Sequence, residues 1–139
     1  MKEITEELCI ELLKKELPDF FPYWESYLRD FGPELDGNFE LEIHTHMIPV
    51  TEFAVALIKS NNQVEIKKFF DLIEFLLCNG NESVKNAVAT GFLEYLMNKS
   101  PEEINFSTFY KYMGENAIGY CRAWDEFNGV KTEGLWDKE

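Results

Sequence analysis

Histidine is nearly absent from this sequence: His44 and His46 are the only two in 139 residues. Any chemistry that needs an imidazole base or ligand must run through that pair. Cysteine is scarce too. Cys9, Cys78 and Cys121 lie far apart, and no C-x-x-C occurs, which argues against a zinc ribbon and a dithiol redox motif. Apolar runs last only a few residues, too short for a transmembrane helix. No G-x-S-x-G, phosphate-binding loop or dinucleotide fingerprint is present, and Gly80, Gly91, Gly114 and Gly119 are scattered. Positive charge is the last shortage, with 13 Lys+Arg against 26 Asp+Glu and a net charge of −13. That balance argues against binding nucleic-acid backbones, whose phosphates are held by clustered Lys and Arg. It equally disfavours an anionic membrane surface.

Hydrophobic residues at 45% and charged residues at 28% belong to a globular chain. The length suits one domain, so residues 1–139 read as a single helical unit with a polar C-terminal tail at 130–139. The acidity is spread evenly: residues 1–70 hold 7 basic and 14 acidic side chains, and residues 71–139 hold 6 and 12. The start, Met1 to Glu7, is acidic and amphipathic, so no secretory signal is expected and the setting reads as cytoplasmic. Cys9 and Cys78 fall in apolar helical stripes and read as reduced core thiols, and Cys121 sits on a stripe beside Tyr120 and Trp124.

The fold class expected is all-α. Apolar spacing predicts a helix over Glu3–Leu17, ended by Pro18, and another over Tyr23–Asp30, closed by Gly32 and Pro33. Between residues 32 and 48, Phe39, Leu41 and Ile43 alternate with Glu40, Glu42 and His44. That period of two predicts an irregular extended segment, without a second strand to pair with. Val50, Phe53, Ala54, Leu57 and Ile58 form the next stripe. Asn62 and Glu65 look like an N-cap pair before the stripe Ile66, Phe69, Phe70, Ile73, Leu76 and Leu77. Gly80, in an Asn-Gly-Asn turn, predicts a positive φ. Val84, Ala87, Val88, Phe92, Tyr95 and Leu96 follow, with Gly91 leaving room for a neighbouring helix. Ser100, Pro101 and Glu103 read as a capping box opening a helix to about Met113. A last helix is expected over Glu115–Phe127, with Ala117, Tyr120, Cys121, Trp124 and Phe127 facing in and Asn128-Gly129 closing it. Leu135 and Trp136 are placed to dock back. Short loops imply antiparallel helix pairs, in a HEAT/armadillo-like right-handed stack or a helical bundle.

Catalytic signals are thin. In an extended segment His44 and His46 would share a face, near Asp36, Glu40 and Glu42, but no recognised metal spacing results. The acids Asp30, Glu34, Asp36, Glu40 and Glu42 do not match a calcium loop either. Paired carboxylates are too common here to be informative. No cofactor, metal or catalytic residue is therefore assigned.

The surface is more informative. Asp71 and Glu74 fall on the outer side of one predicted helix and Glu94 on the next. Glu115, Asp125 and Glu126 decorate the last. Merged, they would form a negative field that speeds encounter with a basic protein, anchored by aromatics. Tyr112 is the aromatic grouped with these acids as partner-binding, while Trp24, Tyr27 and Trp136 are further candidates set against ordinary core packing.

The stretch Ile66–Phe92, continuing as Leu93-Glu94-Tyr95-Leu96, holds a phenylalanine-rich helix, an Asn/Gly turn, Val84-Lys85-Asn86-Ala87 and Phe92-Leu93-Glu94. It resembles small acidic all-helical immunity proteins of bacterial polymorphic-toxin and contact-dependent growth-inhibition systems. The likeness runs from near Val50 to Leu96. It implies a protein that binds one cognate toxin domain, basic where the toxin is a nuclease, and blocks it. It implies no catalytic residues, and it makes Phe69, Val84, Asn86 and Phe92 structural. Such a protein would be a monomer or weak homodimer. The competing expectation is a helical adaptor for a host protein or peptide. A metal-dependent enzyme built on His44 and His46 comes third.

Overall fold

A computed structural model describes residues 3–35, 37–38 and 42–136. It is all-helical, with six helices and no strand among the described residues. Helix α1 spans Glu6–Glu16, α2 Phe21–Phe31, α3 Met47–Ser60, α4 Gln63–Asn79 and α6 Glu115–Asn128. Between the last two, α5 covers residues 82–98 in three parts: α-helical Glu82–Asn86, π-helical Ala87–Leu93 and α-helical Glu94–Asn98.

Local chemistry sets most boundaries. Thr5 caps α1 by accepting the Leu8 N–H, and Asn62 caps α4 by accepting the Glu65 N–H at 3.2 Å. Asn81 caps α5 through Val84 N–H at 2.8 Å. Gly129, at φ 69°, ends α6 in the left-handed conformation. A parallel bridge ties the N-terminus to the α4–α5 turn: Ile4 N–H donates to Asn79 C=O at 2.8 Å, and Asn81 N–H donates to Ile4 C=O at 2.9 Å. Glu6 is buried beside this knot. Burial raises its pKa, but hydrogen bonds from its own backbone N–H, Asn81 and Ser83 together outweigh that and leave it lowered.

The core is a ladder of phenylalanines. Phe20 meets Phe53 at 5.8 Å, Phe53 meets Phe69 at 5.9 Å, and Phe69 meets Phe92 at 5.5 Å, all edge-on. Phe70 stacks on Phe109 at 5.4 Å, which touches Phe106 at 4.7 Å. The rungs come from the 3₁₀ turn Pro18–Phe20 before α2, from α3, α4 and α5, and from the segment after α5, so one apolar core joins them. From α2 onward sequential helices pack, and so do α3 with α5 and α4 with α6, while α1 packs on the start of α5.

Several expectations need correction. Residues 101–113 form no continuous helix. A turn at 101–103 leads to 3₁₀ turns Phe106–Thr108 and Tyr110–Tyr112. Asn105 is extended and its side chain accepts the Ser107 N–H at 2.9 Å, a local alternative to helix. Ile104, Phe106, Phe109 and Met113 are all buried, which rewards the irregular path. Gly80 has φ −71°, not positive. Its lack of a side chain matters for space, because a Cβ would lie 2.6 Å from Val84 Cγ1. Cys78 is exposed, whereas Cys9 and Cys121 are buried. Phe127 faces solvent at 81% exposure.

The segment expected to be extended turns instead where it is described. Glu42 N–H donates to Asn38 C=O and His46 N–H to Glu42 C=O, both at 3.0 Å, a helical pattern. Asp36, Phe39, Glu40 and Leu41 lie outside the described residues.

Candidate functional site

Because residues 42–46 turn, His44 and His46 part company. His46 is buried, with Nδ1 2.7 Å from the Tyr27 hydroxyl and its ring against Trp24 and Tyr27 at 5.1 and 5.5 Å. Burial lowers its pKa to about 4. Tyr27 is pushed up to about 12, first by burial and then by the Glu42 charge. His44 is exposed, and its Nε2 lies 2.6 Å from Thr90 Oγ1. Thr90 donates its hydroxyl proton to Asn86 C=O at 2.7 Å, so His44 is the donor in that contact. Among the described residues no three His, Cys, Asp or Glu side chains gather as metal ligands. Trp24 and Tyr27 belong to the core at 5% and 3% exposure.

The acids proposed as one field divide into three groups. Glu74 and Glu94 are fasteners that seat α6. Glu74 accepts from Asn116 N–H at 2.8 Å, Asn116 Nδ2 at 2.7 Å and Ala117 N–H at 3.1 Å, satisfying the first turn of α6 from a neighbouring helix. Gly114 allows this approach, since a Cβ there would meet the Glu74 carboxyl at 2.3 Å. Glu94 accepts the Tyr120 hydroxyl proton. Burial first, and then this carboxylate, push the Tyr120 hydroxyl upward.

Asp125 is a correction. It is 1% exposed and decorates no surface. Its carboxylate accepts Thr132 N–H at 2.7 Å, Thr132 Oγ1 at 2.8 Å and the Trp136 indole N–H at 2.8 Å. Arg122 adds a hydrogen bond to Leu135 C=O at 3.1 Å and lies 5.3 Å over the Trp136 ring. The tail therefore docks as expected, through Leu135 at 0% exposure and Trp136.

Asp71, Glu115 and Glu126 remain on the surface. Asp71 is paired with Lys67 at 3.1 Å. It also lines a depression of about 450 Å³ together with Tyr112, Val64 and Lys68. The structure thus brings Asp71 and Tyr112 together, but among lysines rather than acids. A second depression, with Leu12 and Phe75, continues it through Lys68 and Asp71.

The feature missed by sequence spacing is at the C-terminal end of α6. Phe127 stacks on half-buried Trp124 at 5.7 Å and 20°, with Val130 54% exposed just beyond and Glu126 exposed beside it. The signal that could have found it is Asp125 on the stripe of Ala117 and Cys121, because one buried acid rotates Phe127 to the outside.

Residues 10–129 match the family model described as Domain of unknown function (DUF7674). The chain belongs to that family. No curated protein and no solved structure matches it. The DUF7674 match takes in all six helices, from within α1 to the Gly129 that ends α6. The docked strap at 130–136 lies beyond it. The residues shared with the resemblance are mostly interior: Phe69, Val84 and Phe92 are buried, while Asn86 is exposed and contributes its carbonyl to Thr90.

Proposed function

We propose that this protein is a binding module, an immunity protein that neutralises a cognate bacterial toxin domain in the cytoplasm by stoichiometric occlusion. The observation that carries the reading is the exposed Phe127 stacked on Trp124. A phenylalanine left in water at the end of a well-packed helix adds nothing to the core. Aromatic anchors of this kind are what protein interfaces bury. The net charge of −13 favours fast encounter with a basic partner, with Glu115 and Glu126 on the contact helix. We read the α3/α5 and α4/α6 contacts as a HEAT-like right-handed stack that leaves outer helix faces open to a partner.

A second reading, a helical adaptor, is favoured by the α4 face. There Lys67 and Lys68 sit between exposed Val64 and Phe75, a surface without the acidic bias a basic toxin would need.

The test is a tagged pull-down from the native host at low and high salt, using wild type and Phe127→Ala. The immunity reading expects one basic toxin domain, weakened by salt and lost with Phe127→Ala. Once purified, that domain is inhibited at a one-to-one ratio. A captured protein whose binding ignores salt and Phe127, or whose activity is untouched, sinks the reading and moves weight to the adaptor.

A further inference from the structure

Exposed apolar side chains line up along α1 and α4. Leu8 of α1 and Phe75 of α4 are each 43% exposed, and Val64, near the start of α4, is 76% exposed. On α1, Leu8, Leu12 and Glu16 follow one another by a turn, and on α4 so do Lys68, Leu72 and Phe75. The bridge of Ile4 to Gly80 sets the start of α1 beside the end of α4. Leu12 and Glu16 then share a depression of about 390 Å³ with Lys68, Leu72 and Phe75, so the two helices run antiparallel. Counted in turns from the bridge, Leu8 lies level with Phe75, Leu12 with Leu72 and Glu16 with Lys68.

The charges on this face suit a copy of the chain itself. Lys67 is held by Asp71 at 3.1 Å, while Glu16 and Lys68 make no salt bridge among the described residues. The groove thus offers one anion and one cation, in a chain whose acids outnumber its bases by 26 to 13. Such a pair selects neither a basic nor an acidic partner. It does suit a two-fold contact, in which each copy supplies both halves. With the two-fold axis along the groove, levels are kept and the helices change sides. The second copy's α1 then lies over α4, leucines on Leu72 and Phe75, and its Glu16 comes over Lys68. The same pair forms again on the other side of the axis. We propose that this protein forms a two-fold homodimer through the α1–α4 face. Three turns of each helix, about 16 Å, make a small interface, so the dimer is weak and concentration-dependent. The proposal does not depend on the α6 reading.

Sedimentation of the full chain from about 5 to 500 µM, at physiological salt, reads the association. Wild type should pass from monomer to dimer across this range. Leu8→Asp and Phe75→Asp should each weaken the dimer about ten-fold or more, and Phe127→Ala should leave it unchanged. The deciding arm is charge exchange. Lys68→Glu alone sets two carboxylates opposite each other, and Glu16→Lys alone sets two ammonium groups opposite each other, so each should weaken self-association. Mixed one to one, the two variants restore both opposite-sign pairs, and a heterodimer should return. A change acting within one copy cannot give that rescue. A wild type that stays monomeric throughout overturns the proposal. So does a mixture without rescue, a dimer indifferent to Leu8→Asp and Phe75→Asp, or one lost with Phe127→Ala.

Discussion

Asp125 and Phe127 stand on opposite sides of α6, two residues and about 200° apart. The acid is 1% exposed and the phenylalanine 81%. This inversion of the usual polarity joins two features of the protein, a tail strapped onto the body and an aromatic side chain offered to solvent.

The strap gives the first prediction. Asp125→Ala removes the acceptor for Thr132 and Trp136 together. It should cost about 2–4 kcal/mol, because buried donors are left without a partner. Trp136→Phe, which deletes the indole donor but keeps an aromatic ring, should cost about 1 kcal/mol. Urea unfolding followed by far-UV circular dichroism measures both. Equal stability of Asp125→Ala and wild type would remove the strap from the account.

Phe127→Ala should behave in the opposite way. Its stability should stay within about 0.5 kcal/mol of wild type, as for other surface changes. Affinity for the partner should fall by about 2 kcal/mol or more, the size expected of an aromatic anchor. Calorimetry on the purified complex, alongside the unfolding curve, separates the two effects.

Glu74 and Gly114 form one contact and should fail as one. Glu74→Ala strips the acceptor from the first turn of α6 and should cost about 1–2 kcal/mol. Gly114→Ala pushes a methyl into the Glu74 carboxyl and should cost a similar amount. In the double variant the losses should not add, since either change already breaks the contact. Additive losses in thermal unfolding would mean that the two residues act separately.

His46 makes stability depend on pH. Its folded pKa is lowered to about 4 by burial, against about 6.5 in the unfolded chain. As pH falls below 6.5 the unfolded state takes up a proton that the folded state refuses. Stability is therefore full above about 6.5 and is lost progressively down to about 4, by an amount on the order of a few kcal/mol. Carboxylates titrate in the lower part of this range, so the measurement is a difference. Unfolding of wild type and His46→Leu is compared from pH 7 to 4.5, and the variant should show the shallower slope. Parallel slopes would contradict the buried Tyr27–His46 pair.

Thiol reactivity should single out one cysteine. Burial pushes Cys9 and Cys121 up to about 12, with the charges of Glu6 and Asp125 adding to it, while Cys78 is exposed. A thiol-disulfide reagent should label Cys78 quickly in the native protein and the other two only on unfolding. Mass spectrometry of the labelled peptides identifies the site.

Much of the helical scaffold was legible along the chain because its causes are local. Asn62 and Gly129 cap where their side chain or their freedom at positive φ allows. Gly91 does bring a neighbour close, since a Cβ there would lie 3.1 Å from Met47. The stripe from Ile66 to Leu76 needs only a period of 3.6 to be recognised. The capping box at Ser100 misled because local preference lost to long-range packing. Phe109 stacks on Phe70, and Phe106 packs against Phe109, along a backbone that has left the helix. The acidic face misled for a related reason. A carboxylate at the right spacing looks the same whether it meets water, a helix N-terminus or an indole.

The sequence alone determined the all-helical class, the shortage of imidazole and thiol, the negative charge and most helix ends, since each follows from composition or from residues within a few positions of one another. Only the tertiary structure decided the rest. It set the π-helical turn in which Glu94 N–H reaches back to Ala89 C=O and residues 91–93 are all buried. It bound Glu74 and Glu94 to α6, and it rotated Asp125 inward and Phe127 outward. These outcomes depend on partners brought together across tens of residues, such as Glu74 with Asn116 or Tyr27 with His46, and no local rule encodes which face a neighbouring helix will cover.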